Sequence, residues 1–538
     1  MNSTLLLSFV IGYFLILLVV AYLTSRNSSN ESFFSGNKNS NWMLVAFGMI
    51  GTSLSGVTFV SVPGDVKATA FNYFQVVIGY FIGYIVIAYV LLPLYYKMNL
   101  TSIYKYLETR FGVKAHQTGA WFFLLSRTLG ATGRLYLVVN ILQIFILDSM
   151  GVPFAVSAFV ILLMILLYTF EGGVKTIVYT DTLQTSGMLI GLIVCIVYIM
   201  NTLGLSISGV FTELNLLTTS NALRSQQLTE VFNTDTQSSL YFVKHILGGA
   251  VITIAMTGLD QEMMQKNISV KKLSDSQKNI MTLSVVLIVV NALFLLLGGL
   301  LYLYAAKNNI TAAGDDLFPT IALGQAFPQA IGIIFIIALI SALFPSVDGA
   351  ITALTSSYCI DVAGIEKKKN LSEQGKKRYR LTVHITFAVI FFILVLVFKW
   401  VGEKSIIQFI LKVAGFTYGP LLGMFAFGIL TKRTLNAYWI PTICVIAVML
   451  TFYIDFYNNP QWYQAKFKLT GPFIEQLKLY SIDAFGGFIN TKNELAGGYK
   501  IGLELLLING ILAFSGLWLI SKKKVDANDI SDINVLVK

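Results

Sequence analysis

The sequence predicts an all-α integral membrane protein with about thirteen transmembrane helices, on three observations. The 538 residues are 56% hydrophobic and only 12% charged, with a mean hydropathy of +0.73. A soluble domain carries about 25% charged residues. Long apolar runs are separated by short polar stretches, without the regular polar linkers of soluble multidomain chains. Finally, Lys and Arg gather in alternate loops, the bias that orients a multi-pass protein.

A span needs about 20 mostly apolar residues, which places candidates near 4–23, 42–69, 72–96, 118–147, 152–170, 176–200, 240–261, 281–305, 328–363, 381–398, 405–431, 435–456 and 501–521. The first run, Leu5 to Leu23, has no basic flank before it and no small-residue cleavage site, so it reads as a retained helix. The basic loops carry Arg26 and Lys38; Lys97, Lys105, Arg110 and Lys114; Lys175; Lys266, Lys271, Lys272 and Lys278; Lys367 to Arg380; Lys432 and Arg433; and Lys522 to Lys524. They hold about 24 of the 38 basic residues, and an odd helix count then puts the N-terminus outside and the C-terminal tail, 522–538, in the cytoplasm. The expected location is the plasma membrane, as in a bacterial inner membrane. The outer segments 201–239 and 457–499 are polar and show no recognisable domain.

Several function classes drop out. The net charge of +11 is dispersed between apolar runs, with no nucleic-acid motif. Cys195, Cys359 and Cys444 lie inside apolar runs and form no CxxC pair, so neither a disulfide framework nor a zinc site is indicated. No GxxxxGK[ST] loop is present, which argues against an ATP-driven pump. No nucleophile–base set appears on the helices, so an enzyme is not expected.

Three helices carry the chemistry. The second reads FGMIGTSLSGVTFVSVPGD from Phe47 to Asp65, and its glycines, hydroxyls and Pro63-Gly64 predict an interruption. Unwound backbone at membrane depth persists only where it is buried in protein or lines a cavity, and its freed carbonyls suit a hard cation. A small-residue packing face is the plainer alternative. The seventh helix contains Gly248-Gly249, Thr253, Thr257 and Gly258. Two glycine-interrupted helices five apart fit an inverted five-helix repeat with the substrate between them. The ninth carries Ser341, Ser346, Asp348, Thr352, Thr355, Ser356 and Ser357, too polar for a lipid-facing surface. These hydroxyls are either cation ligands or back-bond to their own helix. Arg127 and Arg134 share one face of the fourth helix. Each is costly at membrane depth, so each faces a cavity, a substrate carboxylate, or a buried acid such as Asp181 or Asp348. Lys244 and Lys412, near the outer ends, read as snorkelling, and His245 and His384 have no metal-ligand spacing.

Five fragments in order then resemble the sodium/solute symporters, the family of the sodium–glucose and sialic acid transporters. They are FFSGNKNSNWMLVAFGMIGTSLSG from Phe33, VYTDTLQTSGMLIG from Val178, TGLDQEMMQKNISVK from Thr257, SVDGAITALTSSYCID from Ser346 and GFTYGPLLGMFAFGIL from Gly415. The resemblance implies a leucine-transporter-like 5+5 inverted-repeat core over about 42–431, with 4–23 an extra helix and 435–521 peripheral. It implies a sodium site made by the carbonyls of Gly56, Phe59 and Ala342 and the hydroxyl of Ser346, with Asp181 aiding sodium release or forming a second cation site. Pro345 stands where the family has the first of two serines, so either Ser341, Asp348 or water substitutes, or sodium binds more weakly. For the substrate, the resemblance implies Arg134 as the carboxylate clamp, with Thr58, Ser61 and Gln75 lining the pocket.

The expected function is sodium-coupled import of a small organic solute by alternating access: a sugar, an acidic sugar such as sialic acid, or another organic carboxylate. Sodium is the co-transported ion, and no organic cofactor is expected. A sodium-independent uniporter or channel, or a solute sensor, is the alternative.

Overall fold

The computed structural model describes residues 3–25, 40–169, 173–218, 226–324, 327–365, 372–401, 406–467, 472–485, 488–489, 495–496 and 498–523. Arg26, Lys38, the opening of the first family-like fragment, Lys367 to Lys369 and the tail from Lys524 lie outside them. The principal helices are α1 (Ser3–Ser25), α2 (Trp42–Ser53), α3 (Gly56–Thr69), α4 (Tyr73–Val86), α5 (Val113–Leu142), α6 (Phe154–Thr169), α7 (Gly173–Leu203) and α8 (Phe242–Thr253). They continue with α9 (Gln261–Ile268), α10 (Leu273–Lys307), α11 (Gln329–Ser357), α12 (Glu373–Val401), α13 (Ile406–Thr417), α14 (Gly419–Leu430), α15 (Ile440–Asn458) and α16 (Leu505–Ile520).

Among the described residues eight helical stretches are long and apolar enough to cross a membrane, or ten if two bent pairs each count as one span. Three shorter apolar helices, α2, α6 and α16, occupy other segments of the sequence reading. The stretch Gly56–Lys97, 42 residues long, is one of the eight. A straight helix of that length would be about 63 Å, twice the hydrocarbon thickness. It turns at Thr69–Asn72, where Ala70 adopts φ 52°.

The second apolar segment is broken, as expected, but not at its proline. α2 ends at Ser53 and α3 begins at Gly56; Leu54 (φ −94°, ψ 90°) and Ser55 (φ −83°, ψ 173°) are extended between them. Pro63 stays inside α3, because a helical proline removes only its own N–H bond. The carbonyl of Phe59, four residues earlier, consequently has no helical donor. Gly64 serves packing: a Cβ there would strike the backbone of Gly314.

The seventh segment corrects the sequence reading further. Gly248 and Gly249 lie within continuous helix. Gly249 abuts the backbone of Val76, while Gly79 and Gly83 abut Ile246 and Ala250, so these glycines let α4 and α8 touch main chain to main chain. The departure comes later, where Ile254–Gly258 widens into a π turn and the chain bends by 65° into α9. The outer segment 457–499 likewise adds a feature to the all-α prediction, a two-stranded ribbon of Phe488–Ile489 against Leu495–Ala496.

Several of the loops grouped by basic charge touch one another among the described residues. Arg110 donates to the carbonyls of Gly428, Thr431 and Arg433, Thr434 pairs with Lys522, Tyr96 donates to Val270, and Ser40 to Ser269. Ser3, by contrast, lies beside Ser149 at the far end of the α5 segment, which starts next to Arg110. Lys244 and Lys412 do not simply snorkel: Lys244 donates to the carbonyls of Ser238 and Lys500, and Lys412 pairs with Asp455 at 2.8 Å.

Candidate functional site

The broken segment faces a cavity of about 120 Å³. One wall is the break itself, Thr52 to Ser55 with Val57 and Thr58; the others bring Arg127 and Arg134 from α5, Thr253, Met256 and Thr257 from the seventh segment, and Asn291 from α10. Tyr73, Tyr80, Tyr84, Ile407 and Ile410 also line it. The break leaves unpaired carbonyls at the end of α2 and unpaired amides at the start of α3. A cation is therefore favoured at one lip and an anion at the other.

The two arginines differ sharply in their surroundings. Arg127 pairs with Glu262 and has Asp260 at 3.8 Å, and Asp260 also accepts from Tyr418 at 3.0 Å. Arg134 has no described carboxylate oxygen within 4.0 Å, and its buried Nη1 has no hydrogen-bond partner. The acids proposed as alternative partners are engaged elsewhere. Asp348 accepts from Tyr168 at 2.7 Å, and Asp181 accepts from the Lys266 ammonium at 2.7 Å.

Lys266 had been counted with a cytoplasmic loop. The 65° bend before α9 instead turns it inward, where it is 3% exposed and also donates to Thr52 Oγ1 at 2.7 Å. Glu262, one turn earlier, lies 3.5 Å from Nζ, and Gly349 leaves room for its carboxylate. The i, i+4 spacing of Glu262 and Lys266 was the available signal in the sequence.

The expected sodium ligands fall as follows. Gly56 abuts α11: a Cβ there would sit 3.8 Å from the Leu339 carbonyl oxygen and 3.8 Å from Leu343 Cα, beside Ala342. Phe59 turns its ring into Phe294, Phe318 and Phe335, fixing α3 against α10 and α11. Ser346 Oγ is buried without a partner, as are Thr185 Oγ1 and Thr352 Oγ1. The neighbouring hydroxyls of Thr355 and Ser356 back-bond to their own helix. Of the groups suggested to compensate for Pro345, Ser341 donates to Tyr13 at 2.7 Å and Asp348 is held by Tyr168. Pro345 itself leaves the Ser341 carbonyl without its helical donor. Asp181 approaches α2 at Gly48 and accepts from Thr52, the residue before the last of α2.

Of the expected substrate residues, Thr58 and Arg134 line the cavity. Ser61 and Gln75 are fully buried outside it, and Gln75 donates to Asn72 Oδ1 at 3.1 Å. Among the described residues no His/Cys/Asp/Glu cluster suited to a metal is present. His245 and His384 contact the Asn72 carbonyl and Thr355 instead.

A helix broken at a polar central cavity, inside a bundle of long apolar helices, defines a secondary transporter. The chain belongs to the sodium:solute symporter family, whose profile matches residues 33–438. It is 23% identical over 425 residues to the sodium/sialic acid symporter SiaT of Proteus mirabilis, covering 78% of this chain and 82% of that protein. Human sodium-coupled monocarboxylate transporter 1 is 24% identical over 424 residues, 76% of this chain and 66% of the relative. The sodium/glucose cotransporter of Vibrio parahaemolyticus is 21% identical over 448 residues, 78% and 80% respectively. Among solved structures, a substrate-bound, outward-open sodium-coupled sialic acid symporter superposes with a TM-score of 0.73 at 18% identity, covering 96% of this chain and 99% of that one. The fold is leucine-transporter-like, and the protein is a sodium-coupled solute symporter.

Proposed function

We propose that the transported solute is a small organic anion, an acidic sugar of the sialic acid type or another carboxylate, and that Arg134 holds its carboxylate. The observation that carries this is the unpaired Arg134 guanidinium at the cavity, where Arg127 on the same helix is neutralised by protein acids. A guanidinium matches a carboxylate with two parallel hydrogen bonds, and the exposed amides at the start of α3 add favourable dipole. Relatives named for sialic acid and for monocarboxylates agree with an anionic solute. A neutral sugar is the second reading, favoured by the glucose relative.

The sodium ion would sit between α3 and α11, held by the carbonyls of Gly56, Phe59 and Ala342 and the hydroxyl of Ser346. Two prolines support this assignment. Pro63 frees the Phe59 carbonyl, and Pro345, though it replaces a hydroxyl, frees the carbonyl of Ser341. Sodium prefers such hard oxygen ligands. Inward movement of one sodium ion across 100 mV supplies about 2.3 kcal/mol. The face carrying the basic loops is assigned to the cytoplasm of a bacterial inner membrane, which leaves the N-terminus outside.

The test is uptake into proteoliposomes of labelled N-acetylneuraminate, lactate and glucose, with and without an inward sodium gradient. Sodium-driven uptake of an acid, lost in Arg134→Ala, is the expected result. Uptake of glucose alone, unaffected by that substitution, would overturn the anionic reading.

A further inference from the structure

Asp181 was expected to serve sodium, yet its carboxylate already has a cation. Lys266 Nζ lies 2.7 Å from Asp181 Oδ2 and 2.7 Å from Thr52 Oγ1, and all three side chains are buried. We propose that Lys266 is a tethered cation that fills the position a second sodium ion would take beside Asp181, so that this chain binds one sodium ion and not two. The inference rests on the sodium site assigned above to Gly56 and Ser346.

The chemistry supports a substitution. A lysine ammonium is a compact point charge with three donors, and here they meet the Asp181 carboxylate, the Thr52 hydroxyl and, at 3.5 Å, the Glu262 carboxylate, the oxygen types a sodium ion would seek. A carboxylate at this depth requires a countercharge, and Lys266 supplies it through the chain. A sodium ion about 4 Å from Nζ would meet repulsion that weakens its binding about a thousandfold at an effective dielectric constant of about 20. The 65° bend before α9 turns Lys266 off the line of α8, and in that position it meets Thr52 of α2 and Asp181 of α7.

The consequence can be counted. Equilibrium binding of labelled sodium to the purified full-length protein in nanodiscs should give about one ion per chain. Lys266→Met, which keeps the length of the stem and removes the charge, should raise the count to about two, and the further change Asp181→Asn should return it to about one. A second ion in the unmodified protein would overturn the inference, as would a folded Lys266→Met protein that gains none. If Lys266→Met does not fold, Asp181→Asn alone decides: an unchanged count supports the inference, and loss of the bound ion overturns it. The sodium site itself fails by a different result, no sodium bound to the unmodified protein, and a gain of one ion in Lys266→Met would still uphold the role of Lys266. With a tenfold sodium gradient at zero potential, coupling to one ion accumulates solute about tenfold, and to two about a hundredfold.

Discussion

Arg127 and Arg134 lie seven residues apart on α5, face the same cavity, and have opposite fates. Arg127 closes a buried network with Glu262, Asp260 and Tyr418, adjoining the Lys266–Asp181 pair. Arg134 stands at the same cavity with no described carboxylate oxygen within 4.0 Å, although each arginine keeps one buried nitrogen without a partner. The contrast teaches that two arginines on one helix face can differ entirely in countercharge: the chain supplies acids to the first and leaves the second open to the cavity.

Breaking the completed side should have the largest effect. Glu262→Ala strands Arg127 in a buried site, and removing one partner of a buried pair costs about 3–5 kcal/mol. A marked fall in melting temperature in detergent is expected; an unchanged one would show that Arg127 does not depend on Glu262. On the open side, Arg134→Ala should leave the melting temperature nearly unchanged, because no protein acid is orphaned. It should weaken binding of a carboxylate solute by about 2–5 kcal/mol, read as titration of the purified protein. Retained affinity would erase the distinction between the two arginines. A smaller change is expected for Ser346→Ala, which removes one neutral ligand and should raise the half-saturating sodium concentration about tenfold in uptake assays. Smallest of all, Thr58→Val at the cavity wall should alter KM for the solute only a few-fold, about 0.5–1 kcal/mol, with Vmax preserved.

Sequence patterns carried the architecture further than the site. Apolar runs gave the multi-spanning helical character because the bilayer imposes it along the whole chain. Glycine proved ambiguous. Gly56 begins a helix after a break, whereas Gly248 and Gly249 sit in unbroken helix and permit close packing, and nothing local distinguishes the two uses. The break fell at Leu54–Ser55, ahead of Pro63, since a proline removes one hydrogen bond and need not end a helix. The i, i+4 spacing of Glu262 and Lys266 hinted at a pair but did not show Lys266 to be buried, because its place depends on the 65° bend before α9. In the ninth segment the hydroxyls divide in a way the sequence does not mark: Ser346 is buried without a hydrogen-bond partner, whereas Thr355 and Ser356 back-bond to their own helix.

The contact of α4 with α8 has one more implication. Because Gly79, Gly83 and Gly249 bring the two main chains into direct apposition, neither helix can slide past the other without collision. The two helices are thereby locked in register, and the wider ring of Ile254–Gly258 lies at the end of the locked stretch, where the chain leaves α8 for α9.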